Sequence, residues 1–331
     1  MIAIVAQSAA WGRAWEVKRA FALADDVRLV CADDNPPWRD LGGHVDCWVE
    51  ATEDARRIVE AASLVWVVGA PGLDTLARIG GDDWRAWASE LPLAVWWVDT
   101  QYFQDAPRYN ALLDQLGVRW RFVMPDLLQH TAGWAVPLLH PLTMPELAPK
   151  NDTITIVHSP GSALRGVSRK GTDAIERAID RVLEQARRPV TYMRLTGLRP
   201  ERVLALKLRA HIVIDQLPPA GLPFGLGQSG LEGLAARCVV FSKMFPAAAT
   251  ADYFRRPPVQ DVTTEDTLVE ALVRVLRLTI AERDERMWEG RLWAEATAAP
   301  EPWLNYVRSR MDGWPQGTRE RVKETACTSY G

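Results

Sequence analysis

"HIVIDQLPPAGLPFGLGQSGLEGLAARCVVFS", residues 211 to 242, decides how this chain is read. It opens on an apolar run that ends in two polar residues, Asp215 and Gln216, crosses a loop of prolines and glycines, and continues through a short helical stretch into a second apolar run, "CVVFS" (238 to 242). Short β-branched runs bounded by turn residues are strands, and a strand apolar on both faces belongs in a parallel sheet covered by helices on either side. An acid at the carboxyl end of such a strand stands where open α/β sheets bind ligands. Glu232 is the single acidic side chain of the helical stretch and its flanks, residues 228 to 242, and needs a reason to be there.

The same alternation extends outward. Within the same half lie "TITIVHS" (153 to 159), a helix over about 171 to 187, "VTYMRL" (190 to 195) and a helix over about 200 to 209. Near the start, "IAIVA" (2 to 6), "VRLVCA" (27 to 32), "LVWVVG" (64 to 69), "LAVWWVD" (93 to 99) and "WRFVM" (120 to 124) alternate with amphipathic stretches such as "WEVKRAFALA" (15 to 24), "DDWRAWASE" (82 to 90) and "RYNALLDQLG" (108 to 117). Between the two series Pro137, Pro141, Pro145 and Pro149 recur every fourth residue, a spacing that neither helix nor ladder tolerates. A chain of 331 residues suits two domains. The expected fold is α/β, with two doubly wound domains at 1–136 and 153–285 joined by a linker at 137–152. Eleven of the 15 tryptophans lie at or before Trp134 and the other four return at Trp288, Trp293, Trp303 and Trp314. From this we expect residues 286–331 to leave the second domain as helices that pack on the first, with a disordered end.

Composition narrows the function. With 48% hydrophobic and 24% charged residues the chain is of the soluble globular kind, and its apolar runs fall short of the ~20 residues that span a bilayer. "MIAIVAQSAAW" carries no basic leader, so a cytoplasmic location is expected. The four cysteines form no CxxC and the five histidines no HxxxH, which predicts neither a metal site nor a disulfide framework. A net charge of −3 offers nucleic acid no general attraction. No GxGxxG follows any expected strand, which places a nicotinamide-dependent oxidoreductase last among the enzyme classes.

Three segments follow strands of the second half and carry chemistry. In "HSPGSALRGVSRKGTDAIERAI" (158 to 179) a loop bearing Arg165, Arg169 and Lys170 runs into a helix start, where cations and unpaired N–H groups together favour an anion. Asp215 and Gln216 end a buried strand. In "GLGQSGLEG" (225 to 233), Ser229 and Glu232 have capping-box spacing, and the helix start again offers backbone donors beside a carboxylate suited to two hydroxyl groups.

The order "RKGTDAIERAI" (169 to 179), "LRPERVLALKLRAHIVIDQL" (198 to 217) and "LGQSGLEGLAARCVVFS" (226 to 242) resembles the donor-binding domain of GT-B glycosyltransferases of the group-1-like family, over about residues 150 to 245. The resemblance implies two Rossmann-like domains and transfer of a sugar from a nucleoside diphosphate donor, expected to be UDP-linked, without a protein-bound metal or permanent cofactor. It implies Lys170 with Arg165 or Arg169 on the diphosphate, the backbone of Gly227, Ser229, Gly230 and Leu231 at the phosphates, Asp215 and Gln216 beside them, and Glu232 on the ribose. It places the acceptor on the first domain near Trp11 and Gly12, with Asp99 as candidate general base. His130 and His158 are weaker candidates.

Two departures stand out. The family's second acid, eight residues before the ribose Glu, is here Phe224, and its Gly-Lys after the helix is Arg237-Cys238. The alternative reading is therefore a nucleotide-sugar-binding protein without turnover. For the acceptor, both a carbohydrate and a hydroxymethylated DNA base are open, with "VRWRF" (118 to 122) a source of stacking and phosphate contacts in the second case. Oligomeric state is not legible.

Overall fold

The computed structural model describes residues 1–7, 14–32, 45–98, 105–125, 127, 131, 136–160, 170–217, 225–244 and 256–311. The chain forms two compact units: Met1–Thr143 together with the segment from Pro300 onward, and Met144–Ala299.

The first unit is built on β1 (Ile2–Ala6), β2 (Val27–Cys31), β3 (Cys47–Trp48), β4 (Leu64–Val68), β5 (Leu93–Trp97), β6 (Trp120–Val123) and β7 (Val136–Pro137), with α1 (Ala14–Phe21), α2 (Thr52–Glu60), α3 (Gly69–Gly80), α4 (Trp84–Ser89) and α5 (Ala106–Gln115) between them. The strands lie in the order β3-β2-β1-β4-β5-β6-β7 and every pairing is parallel. Ile4 pairs with Leu29 on one side and Trp66 on the other. Every residue of β1, β4 and β5 is buried, as a sheet covered on both faces demands. Trp66, Trp96 and Trp97 are among the largest fully buried side chains.

The second unit contains β8 (Ile154–His158), α6 (Thr172–Gln185), β9 (Val190–Arg194), α7 (Pro200–Arg209), β10 (Ile212–Gln216), α8 (Gln228–Ala235), β11 (Val239–Ser242), β12 (Gln260–Asp261), α9 (Glu265–Arg277) and α10 (Ile280–Thr297). Its parallel sheet has the order β12-β11-β10-β8-β9. Both units are therefore Rossmann-like α/β sheets. α7 starts at Pro200 because proline lacks only an N–H that the first turn leaves unbonded, and its φ is preset for a helix.

The division differs from the sequence expectation in two places. Residues 136–137 form strand β7 of the first sheet instead of opening the linker, and the return to the first unit comes at Pro300, not at residue 286. α10, with Trp288 and Trp293, stays in the second unit, where its face of Arg283, Met287, Gly290, Arg291 and Ala294 is buried. α11 (Pro300–Arg310) joins the first unit through Trp303, 1% exposed, whose ring lies 5.4 Å from Phe21 and 6.0 Å from Trp66 and whose Nε1 donates to the Leu139 carbonyl at 2.7 Å. Residues 312–331, Trp314 among them, lie outside the described residues.

Candidate functional site

In the second sheet the chain leaves β8 for β9 on one side and, later, for β10 on the other. The carboxyl ends of β8 and β10 thus frame the point where strand order reverses, which is where open α/β sheets bind ligands. Lys170 and Gly171 follow β8, Asp215 and Gln216 end β10, and Gly227 to Glu232 open α8.

Asp215 organises this edge. It is fully buried, its Oδ1 lies 3.2 Å from Lys170 Nζ, and its Oδ2 accepts from the Gly227 N–H at 2.7 Å and lies 3.4 Å from Ser242 Oγ. Gly227 is the N-cap of α8 and no side chain caps that helix from within its own segment. The expected Ser229–Glu232 capping box is therefore not formed: Ser229 lies inside the first turn, and the acceptor comes from a neighbouring strand. A capping box of the same spacing does exist at Thr279 and Glu282, at the start of α10. The glycines follow from the approach of Asp215, since a Cβ on Gly230 would sit 2.8 Å from its Oδ2 and one on Gly227 3.0 Å away. Gln216 braces the loop by donating through Nε2 to the Gly225 carbonyl.

Lys170-Gly171 has an equally local reason. Gly171 has φ 70°, and a Cβ there would lie 1.8 Å from the Leu217 carbonyl oxygen. The Leu217 N–H donates to the Lys170 carbonyl at 2.8 Å, so the start of α6 is sewn to the end of β10.

Glu232 has a partner that the sequence did not reveal. Lys207, 1% exposed on α7, donates to Glu232 Oε2 at 2.7 Å, to Ser229 Oγ at 2.9 Å and to the Ser229 carbonyl at 3.3 Å. Burial pushes the Lys207 ammonium below its ordinary pKa, against the pull of Glu232. The available signal was spacing: Lys207 lies one turn beyond Val203, on the side of α7 that turns inward.

His158 ends β8. Its Nδ1 lies 2.8 Å from the Ile214 carbonyl and its Nε2 3.0 Å from Thr172 Oγ1. A carbonyl only accepts, so Nδ1 carries the proton and Nε2 receives the Thr172 hydroxyl. Burial holds this imidazole down at about 4, and it braces the strand edge as a neutral ring.

Of the backbone donors expected at α8, two are withdrawn: the Gly227 N–H bonds Asp215 Oδ2 at 2.7 Å, and the Leu231 N–H bonds the Gly227 carbonyl at 3.0 Å as the first intrahelical link. Gln228, Ser229 and Gly230 occupy the turn before it. Two polar groups missed in the sequence sit at the same edge, for Gln228 Oε1 and Nε2 and Ser159 Oγ are buried and meet no partner among the described residues. Arg165, Arg169, Asp99, Trp11, Gly12, Phe224 and His130 lie outside the described residues. Among the described residues, no group of three or more His, Cys, Asp or Glu is arranged to hold a metal, and no helix is long and apolar enough to cross a membrane.

Arg237 explains one departure from the family pattern. It holds φ 58°, the left-handed conformation that glycine adopts most readily, while its N–H and that of Cys238 bond the Leu234 and Gly233 carbonyls, both at 2.9 Å, in a Schellman ending of α8. The side chains of "VRWRF", the segment named for the DNA alternative, divide between core and surface. Arg121 is held by Asp114 at 2.7 Å and Phe122 packs against Trp66 at 5.0 Å, while Arg119 is exposed and its Cζ lies 5.2 Å from the centroid of the half-buried Trp120 ring.

No protein-family model and no curated protein matches the chain. Solved structures do. Anabaena HepE in complex with UDP and glucose superposes with a TM-score of 0.62 at 11% identity, covering 93% of this chain and 98% of the other. A glycosyltransferase from Rickettsia africae matches with a TM-score of 0.57 at 11% identity over 99% and 98% of the two chains. The fold is GT-B. The N-terminal domain of Candida albicans trehalose-6-phosphate phosphatase also shares it, with a TM-score of 0.58, 10% identity and coverage of 93% and 95%. Identities this low carry the architecture alone; the chemistry must come from this chain's own residues.

Proposed function

We propose that the chain is a glycosyltransferase that takes a sugar from a nucleoside diphosphate donor, UDP-linked, and passes it to an acceptor hydroxyl. The observation that carries this reading is the set of groups at the β8/β10 reversal point: a Lys170–Asp215 pair, the glycine-lined start of α8, and Glu232 oriented by Lys207. A lysine beside backbone donors suits a diphosphate, and a carboxylate one turn further on suits ribose hydroxyls. Ser159 and Gln228 supply unmatched polar atoms at the same edge. The UDP and glucose bound by HepE agree with a uridine donor. In this reading Arg165 or Arg169 completes the diphosphate site, Asp99 takes the acceptor proton, and the acceptor, held near Trp11 and Gly12, is a carbohydrate, as a net charge of −3 offers a DNA backbone no general attraction.

One observation favours binding without turnover: Phe224 stands eight residues before Glu232, where the resembled family carries its second acid. The test separates the two. UDP and UDP-sugars should raise the unfolding midpoint and bind calorimetrically, and Lys170→Ala should weaken UDP about tenfold while leaving uridine unchanged. UDP release with a carbohydrate panel that disappears in Asp99→Asn, donor affinity intact, establishes transfer; binding with no release across the panel supports the second reading. No binding of any nucleotide sinks both.

A further inference from the structure

The opposite edge of the second sheet gathers cations. Lys150 precedes β8, Arg188 precedes β9, His211 precedes β10, Arg237 precedes β11, and Arg283 lies in the first turn of α10. Lys150 Nζ donates to the Ala210 carbonyl at 2.6 Å and the Ala236 carbonyl at 2.8 Å, the residues adjoining His211 and Arg237, and the Val239 N–H bonds the His211 carbonyl at 2.9 Å. Arg237 is held in place by its left-handed backbone, by Asp284 Oδ1 at 3.8 Å and by the Trp288 ring, whose centroid is 5.0 Å from its Cζ.

Arg283 is the unusual member. It is 5% exposed, on the same face of α10 as the core residue Met287, yet its Nε and Nη1 are buried and meet no acceptor among the described residues; Arg237 Nε is in the same state. A buried guanidinium with unmatched donors is costly unless an acceptor reaches it. His211 adds a donor: its Nδ1 accepts from the Thr155 N–H at 3.3 Å, so the proton is on Nε2. Burial, reinforced by the charges of Arg283, Lys150 and Arg237, holds His211 down at about 4, which registers how positive this edge is. Asp284 is the carboxylate that meets the group, and it leaves a clear excess of positive charge.

We propose that this edge is a second anion site, which binds a phosphate group through Arg283 with Arg237, Arg188 and His211 around it, while Lys150, whose three donors are taken by Ala210, Ala236 and Cys238, adds charge alone. A dianion offsets the excess charge better than a carboxylate does, and its several oxygens match several separate donors. The site lies at the amino ends of the strands and is independent of the donor reading, whose residues lie at the carboxyl ends. The phosphate comes either free or as a phosphomonoester.

The test is calorimetric titration of the full chain with inorganic phosphate and, separately, glycerol phosphate, at constant ionic strength set with chloride. Saturable binding is expected, reduced about tenfold or more in Arg283→Met and several-fold in Arg188→Ala, whose side chain is exposed and whose loss leaves the core untouched. The His211 imidazole pKa, followed by NMR, should rise when phosphate is present, and this readout decides if Arg283→Met does not fold. Binding of both compounds points to free phosphate as sufficient, and binding of the ester alone to a phosphorylated metabolite; either sustains the site. No binding, or binding that both variants leave unchanged while Lys170→Ala abolishes it, overturns the proposal.

Discussion

Lys207 Nζ lies 2.7 Å from Glu232 Oε2 although both side chains are withdrawn from solvent, one on α7 and one on α8. Removing one member of such a pair strands the other charge in the interior, while replacing both with apolar groups of similar size is close to neutral. Lys207→Met alone should therefore cost about 3–5 kcal/mol in urea unfolding, and the Lys207→Met/Glu232→Leu double variant should recover most of it. The double variant should still fail to bind UDP. A stable double variant with wild-type donor affinity would return Glu232 to a purely structural role.

Gly171 should tolerate no side chain. At φ 70°, with the Leu217 carbonyl in the space a Cβ would take, Gly171→Ala combines backbone strain with a clash against main chain that cannot rotate away. A loss of about 2 kcal/mol or more is expected, beyond the ~1 kcal/mol scale of an ordinary glycine replacement. Gly117, which closes α5 in the left-handed conformation with open space around its missing Cβ, is the control: Gly117→Ala should cost less.

Acid should weaken the fold in a defined window. The folded-state pKa of His158 is lowered from 6.5 to about 4, so between those values the unfolded chain binds the extra proton. Stability from this group is fully present above about 6.5 and is lost as pH falls toward about 4, at about 1.4 kcal/mol per pH unit within the window. His211 has the same shift and the same sign. His158→Asn should shed roughly half of the combined slope, as read from urea midpoints between pH 4.5 and 7.

Trp303 makes α11 part of the first unit's core. Trp303→Ala removes a fully buried indole and its bond to the Leu139 carbonyl, and should cost about 3–5 kcal/mol. Calorimetry should show the loss in one of two thermal transitions, with the midpoint of a UDP-stabilised second unit unmoved. A uniform shift of both transitions would contradict the assignment.

Sequence pattern alone determined the α/β class, the main strands of both sheets, and the segments that gather at the β8/β10 reversal point, because burial on both faces of a strand and proline or glycine at element ends are recorded within a few neighbouring residues. It also marked Lys170, Asp215 and Glu232 as residues in unusual positions. Tertiary structure decided their partners. Asp215 caps a helix whose N-cap lies twelve residues away, Lys207 meets an acid 25 residues away, and the free N–H that Leu231 was expected to offer is taken by the helix itself. The unit boundary at Ala299, fourteen residues beyond the expected one, follows from the buried face of α10, which local composition does not reveal. Hydrogen-bond partners and burial belong to distances in space, and residues far apart along the chain acquire those distances only when the sheet closes and its helices pack on it.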